Sequence, residues 1–262
     1  MASEPAASSP SPNPPKPSNA VVTSKPKQRD LLTHVEAYLR KRDGVDKLLK
    51  ICRYATKLIL ASNLLASDPN LSHRLKSFES SVGVSRKAFR LGKFVQNLNA
   101  LRNSRVDSKR ELIFSFIAYG SEGLYYFIEQ FVWLSKSGLI DPKRSKIFSK
   151  ISAYAEIIGY FGSVALKIRD LEIIVEDENC LKSSIEIGVL RGDECGEEVI
   201  RLGKLREKKL LKRLSIVQDL ADGLMALDDI LDGNGPFSKP ILMSSAGLLS
   251  ALISTHKNWV SC

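Results

Sequence analysis

The chain has 262 residues, of which 44% are hydrophobic, so it is long enough and apolar enough to bury a core. Its 39 Lys and Arg against 29 Asp and Glu give a net charge of +10, which favours a polyanionic partner, either nucleic acid or an anionic lipid surface. The four cysteines and three histidines are scattered, which argues against a disulfide framework, a metal site or a bound cofactor.

Residues 1–28 form a Pro-rich segment that contains seven of the eleven prolines and no hydrophobic periodicity. We predict a disordered tail, because such a sequence can form neither a packed core nor an amphipathic transit helix. The segment also lacks the apolar run of a secretory signal. Targeting information is therefore expected within the rest of the chain.

Residues 29–110 form a basic helical region. Asp30 is expected to cap a first helix, Asp43 and Gly44 to end it, and residues 68–70 to form a turn after a second helix. Strand signals are weak along the whole chain, with one short β-branched run at 173–175. We therefore predict an all-α fold.

The segment 81–105 has the pattern of an interfacial membrane helix, with an apolar stripe, a basic face and no acidic residue after Arg86. Lys87 falls inside the apolar arc and would have to extend its amine to the edge. A helix that packs its stripe on a core would show the same periodicity. The predicted membrane-inserting residues are Val84, Ala88, Leu91, Phe94, Val95, Leu98 and Leu101, and the predicted lipid-headgroup residues are Arg86, Lys87, Arg90 and Lys93.

Three later stretches are apolar but imperfect as membrane spans: 112–134 and 151–166 contain glutamates, and 240–255 has only 16 residues. We predict a membrane-embedded helical region over 111–170 and a C-terminal membrane segment over 233–262. A soluble helical core would have similar hydropathy.

The charge changes sign along the second half of the chain. Residues 170–198 contain 10 Asp and Glu against 2 Lys and Arg, and we predict an acidic loop over 171–199. Residues 201–213 contain 7 basic residues and 1 acidic residue. An amphipathic helix over 200–232, with leucines at three- and four-residue steps, fits either self-association or packing on its own core.

No catalytic constellation is recognisable, because the sequence lacks a phosphate loop, a nucleophile elbow and a zinc-protease motif. The adjacent carboxylates Asp228 and Asp229 point in different directions on a helix and are poorly placed to share a substrate. We predict that the chain is not an enzyme.

Four segments resemble, in order, blocks of the peroxisomal membrane protein 11 (peroxin 11) family, most closely its plant A-type branch. Residues 44–54 (GVDKLLKICRY) resemble its G-x-D-K-L-L-R-x-x-Q-Y block, and residues 85–94 (SRKAFRLGKF) resemble its S-R-K-x-F-R-L-G-K helix. Residues 125–140 (YYFIEQFVWLSKSGLI) are similar to its Y-x-x-x-D-x-x-x-W-L-x-K-x-G block, and residues 235–259 resemble its closing membrane segment. This chain departs in having Glu129 for Asp, no terminal dilysine pair and the extra Pro-rich segment.

The resemblance implies a multi-pass protein of the peroxisomal membrane with a cytosolic N-terminus. It also implies promotion of peroxisome elongation, proliferation and division, by insertion of the basic amphipathic helix over 81–105 into the cytosolic leaflet. The partners that it implies are an anionic lipid membrane, further copies of the chain, and the fission machinery of peroxisomes and mitochondria, namely a dynamin-related protein and its adaptor. No nucleic-acid partner is implied.

Two other classes of function remain open from the sequence. A soluble helical module could bind nucleic acid or protein through the basic face, but only Phe89 and Phe94 could stack on bases there. A membrane channel or transporter could use the carboxylates within the apolar stretches, Glu122, Glu129 and Glu156.

Overall fold

The computed structural model describes residues 30–62, 64, 68–104, 108–192 and 194–262, so the Pro-rich segment 1–28 lies outside the described residues. The described residues form helices and no strand, which confirms the all-α prediction. In chain order the helices are α1 (Leu31–Arg40), α2 (Arg42–Ala61), α3 (Pro69–Phe89), α4 (Lys93–Asn103), α5 (Lys109–Ser115), α6 (Ser121–Lys136), α7 (Ser145–Arg191), α8 (Gly196–Ile230) and α9 (Pro240–Val260). A π-helical turn (Phe116–Gly120) joins α5 to α6, and a short 3₁₀ turn (Pro142–Arg144) precedes α7.

The predicted helix ends are correct in part. Asp68 accepts hydrogen bonds from the backbone N–H groups of Asn70 and Leu71, at 3.1 and 3.0 Å, so the predicted turn is the N-terminal cap of α3. The Asp30 side chain makes no such cap, and α1 ends at Arg40 rather than at Asp43 and Gly44. Gly44 lies inside α2, where a Cβ would stand 2.1 Å from the Tyr38 carbonyl oxygen, so its absence allows the sharp turn between α1 and α2.

Six helices pack in a closed ring. α2 packs on α9, α9 on α8, α8 on α7, α7 on α6 and α6 on α3, which returns to α2. α4 lies against α6 and the π-helical turn. The inner face of α9 is built largely from small residues, and a Cβ at Gly247 would stand 2.2 Å from the Tyr54 ring of α2. Small residues on this face therefore let the two helices approach closely.

The acidic segment is helical, so the prediction of a loop over 171–199 is wrong. α7 continues to Arg191, and its second half pairs with the basic start of α8. Lys209 lies 2.7 Å from Glu178, and Lys212 lies 2.6 Å from Asp170. The acidic and basic blocks of the sequence are therefore the two complementary strips of one antiparallel helical hairpin. The predicted helix over 200–232 is confirmed as α8.

Among the described residues, one helical run is long and apolar enough to cross a membrane, Pro142–Arg191. The apolar stretch 112–134 is divided by the π-helical turn.

Candidate functional site

The ring buries many polar side chains and exposes many apolar ones, which is the reverse of the distribution in a water-soluble helical bundle. Among the described residues, 16 buried residues are polar or charged and 10 are hydrophobic. On α8 the buried positions include Ser215, Asp219 and Asp222, whereas Leu210 and Leu220 are exposed. On α7, 74% of the Phe161 surface is exposed. A water-soluble bundle buries its apolar side chains, so this surface is suited to an apolar environment.

The predicted membrane-inserting segment is not one helix. α3 ends at Phe89, and α4 begins at Lys93 after a turn in which Gly92 adopts φ 78°, a left-handed conformation that glycine tolerates best. The prediction of a continuous helix over 81–105 is therefore wrong for its described residues. The change of direction at Gly92 separates the stripe into two parts.

The seven predicted membrane-inserting residues divide between the exterior and the packed side of this segment. Leu91, Val95 and Leu98 are exposed, with 57% of the Leu98 surface accessible. We call these three residues the wedge surface. Phe94 packs edge-on against Phe127 of α6, with ring centroids 5.7 Å apart. The others, Val84, Ala88 and Leu101, are partly buried.

The four predicted headgroup residues face the interior of the ring instead of its surface. Arg86 and Lys93 are buried, and Lys87 and Arg90 are partly buried. Lys93 pairs with Asp43 at 2.6 Å and lies over the Tyr126 ring, 5.6 Å from its centroid. In this arrangement these cations meet protein carboxylates, and contact with lipid headgroups would require the pairs to open. Their headgroup role stays a prediction.

A buried carboxylate on α2 organises these cations. Asp46 is 0% exposed and lies 3.1 Å from Arg86 Nε, 3.7 Å from Arg90 Nε and 3.7 Å from Lys47 Nζ. These ion pairs hold the start of α2 against the end of α3.

A second carboxylate, Glu129 of α6, completes the network. It accepts a hydrogen bond from Lys87 and lies 3.8 Å from Arg90 Nη1. The same Arg90 nitrogen donates to the Tyr125 hydroxyl at 2.7 Å. Sequence reasoning missed this network, although two signals pointed to it: Lys87 lies within an apolar arc, and Glu129 lies within an apolar stretch.

The network lines a polar cavity of about 1160 Å³ inside the ring. Of the residues that line the cavity, 12 are Lys or Arg and 8 are Asp or Glu. All three glutamates considered for transport, Glu122, Glu129 and Glu156, are among them. Lys50 closes one side, donating to Asp222 at 2.8 Å and to Ser250 at 2.6 Å. The cavity is large enough for a small organic ligand together with water.

One known protein family matches the chain along most of its length. The family model described as peroxisomal biogenesis factor 11 (PEX11) matches residues 32–259, which is most of the chain. The chain belongs to this family. PEX11 proteins are peroxisome biogenesis factors rather than enzymes, and the chain is accordingly a peroxisomal membrane protein with a role in peroxisome proliferation.

Two plant relatives are similar to the chain along about nine tenths of its length. The chain is 64% identical to peroxisomal membrane protein 11A of Arabidopsis thaliana, over 91% of this chain and 96% of that relative. It is 54% identical to peroxisomal membrane protein 11-3 of Oryza sativa subsp. japonica, over 90% and 92%. Peroxisomal membrane protein PMP30B of Candida boidinii is 26% identical, over 87% and 94%. These similarities confirm that the chain belongs to the plant A-type branch of the family. No solved structure matches the chain.

Three of the four sequence blocks that resemble PEX11 meet in the buried network. Residues 44–54 supply Asp46 and Lys47, residues 85–94 supply the four interior cations, and residues 125–140 supply Tyr125 and Glu129. Glu129, which departs from the Asp of the family block, reaches Lys87 directly. The blocks are therefore in contact in the fold although they are distant in the sequence. Arg90 and Tyr125 are 35 residues apart, and Lys87 and Glu129 are 42 residues apart.

Proposed function

We propose that the chain elongates peroxisomes before division by inserting the wedge surface into the cytosolic leaflet of the membrane. The observation that carries this proposal is the exposure of Leu91, Val95 and Leu98 in a segment without acidic residues from Arg86 to Arg105. Apolar side chains that enter one leaflet expand it and favour positive curvature. The wedge surface therefore needs no chemical reaction to bend the membrane.

The ring is proposed to anchor the wedge surface as a multi-pass membrane domain, with the N-terminus in the cytosol. Its support is the inverted side-chain distribution, with Phe161 and Leu252 exposed and Ser152 and Ser250 buried. Buried polar groups in such a bundle satisfy one another, while apolar side chains contact lipid. The charged hairpin formed by the end of α7 and the start of α8 would then lie outside the bilayer, because its ionised side chains are costly in lipid.

Site-specific fluorescence tests this arrangement. In a chain whose native cysteines are replaced by Ser, we place a dye on Leu98→Cys, Phe161→Cys or Leu252→Cys, and on Ser184→Cys as an exposed control on the hairpin. Nitroxide-labelled lipid should quench the first three dyes strongly and the Ser184 dye weakly. Equal quenching at all four positions, or no quenching at Phe161 and Leu252, would rule out the proposed anchoring.

Self-association is proposed to occur through the exposed apolar side of α8. Leu210, Val217 and Leu227 of the predicted stripe are exposed, whereas Leu214 and Leu224 are partly buried within the chain. Exposed apolar helix faces associate through complementary side-chain packing, both in water and in lipid. An oligomer would concentrate wedge surfaces on one area of the membrane. It would also present several copies of the chain to the fission machinery, a dynamin-related protein and its adaptor.

The oligomer prediction uses two exposed positions of α8. Leu210→Asp with Val217→Asp places two charges in the interface and should weaken self-association at least tenfold, or about 1.4 kcal/mol. Cross-linking of the reconstituted chain measures the loss of dimers and larger species. Lys208→Ala with Arg213→Ala is the control, since it changes the net charge of α8 by the same two units at exposed polar positions. Persistence of cross-linked species in the Asp variant would place the interface on another helix.

A second candidate function is passage of small solutes through the ring, favoured by one observation. The cavity of about 1160 Å³ is lined by ionisable side chains on α2, α3, α6, α7 and α8. Ionisable groups inside a membrane bundle commonly face water-filled pathways. This candidate differs from membrane shaping because it depends on the interior of the ring, whereas shaping depends on its exterior.

A further inference from the structure

The interior of the ring holds a cluster of cations that the surrounding carboxylates do not neutralise. The cluster consists of Lys47, Arg86, Lys87 and Arg90, and all four side chains line the cavity. Among the described residues, the carboxylates in contact with them are Asp46 and Glu129. Four positive charges against two negative charges leave a local net charge of +2.

Two nitrogen atoms of this cation cluster lack hydrogen-bond acceptors among the described residues. Arg86 is 4% exposed, and its Nη2 has no hydrogen-bond acceptor among the described residues. Arg90 Nε is likewise buried without an acceptor at hydrogen-bonding distance. A buried guanidinium nitrogen that lacks an acceptor is costly, because it has lost its water without gaining a partner.

We propose that the cation cluster binds a small oxyanion of charge −2 within the cavity, either a dicarboxylate or a phosphate. A dianion matches the local net charge of +2, and its oxygens can accept from the Arg86 and Arg90 guanidinium groups. The unused nitrogens come within reach when these side chains turn toward the cavity that they line. The Tyr125 and Tyr126 rings line the same cavity and provide an aromatic wall for the carbon part of an organic anion. This inference deepens the second candidate function by naming the class of solute, and it does not depend on membrane shaping.

Calorimetric titration of the full chain in detergent tests the proposal, with succinate and inorganic phosphate as probes at constant ionic strength. We expect saturable binding of one or both, and the probe that binds assigns the ligand as dicarboxylate or phosphate. Lys47→Gln should weaken binding about tenfold, because it removes a charge-assisted hydrogen bond without leaving a carboxylate unpaired. Lys47→Arg should retain binding.

Lys146→Gln is the matched control, since it removes one positive charge from an exposed lining position on α7. Its affinity should stay within about twofold of the parent. Equal weakening by Lys47→Gln and Lys146→Gln, or no saturable binding of either probe to the parent chain, would overturn the proposal.

A hydration test separates failure of the anion site from failure of the second candidate function. Ser152 is buried on α7 and lines the cavity, so a Ser152→Cys thiol should react with a small water-soluble thiol reagent. Reaction at Ser152→Cys without anion binding would contradict the anion site alone. A thiol that does not react would contradict the hydrated interior, and with it both the anion site and solute passage.

Discussion

Asp46→Asn should destabilise the chain by about 3–5 kcal/mol, because it removes the carboxylate that compensates buried cations and leaves them without a counter-charge. Asp46 is 0% exposed and contacts Arg86, Arg90 and Lys47, so the substitution leaves three neighbouring cations without the carboxylate that they share. Thermal unfolding of the purified chain in detergent, followed by circular dichroism, measures the loss.

Asp43→Asn provides the control for this prediction. Asp43 belongs to the same helix and pairs with Lys93, but its side chain is 46% exposed, so water can solvate Lys93 after the substitution. The expected loss is about 1 kcal/mol or less. Equal destabilisation by the two substitutions would contradict the role assigned to Asp46.

The helical character of the chain could be predicted from periodicity, but the orientation of its faces could not. The period of the segment around Leu91 and Leu98 separates an apolar side from a basic side. It does not determine which side faces the protein interior. In water the apolar side would be buried, whereas in this ring Arg86 and Lys93 are buried and Leu98 is exposed.

The features that the sequence did not reveal depend on contacts between distant residues or on a local backbone conformation. The acidic half of α7 is helical because the basic start of α8 lies beside it, as in the pairing of Glu178 with Lys209. The break at Gly92 depends on a left-handed backbone conformation that a helical periodicity does not encode. The role of Asp46 depends on the fold, because α3 places Arg86 and Arg90 beside it although 40 or more residues separate them from Asp46 in the sequence.

Leu91→Asp with Leu98→Asp should abolish membrane tubulation by the chain. Both side chains are exposed, so charges at these positions need not disturb the packing of the ring, but they remove apolar surface that the leaflet would receive. An ionised side chain in the apolar part of a bilayer costs up to about 3 kcal/mol. In cells, the variant should still reach peroxisomes but leave them round and few.

Gln96→Asp with Asn99→Asp is the matched control for the wedge surface, since it adds the same two charges at exposed polar positions of α4. The most direct measurement of the proposed mechanism is electron microscopy of anionic vesicles reconstituted with equal amounts of the parent chain and the two double variants. The proposal predicts tubules with the parent and with the Gln96 and Asn99 variant, and round vesicles with the Leu91 and Leu98 variant. Tubules formed equally well by the Leu91 and Leu98 variant would contradict membrane shaping by the wedge surface.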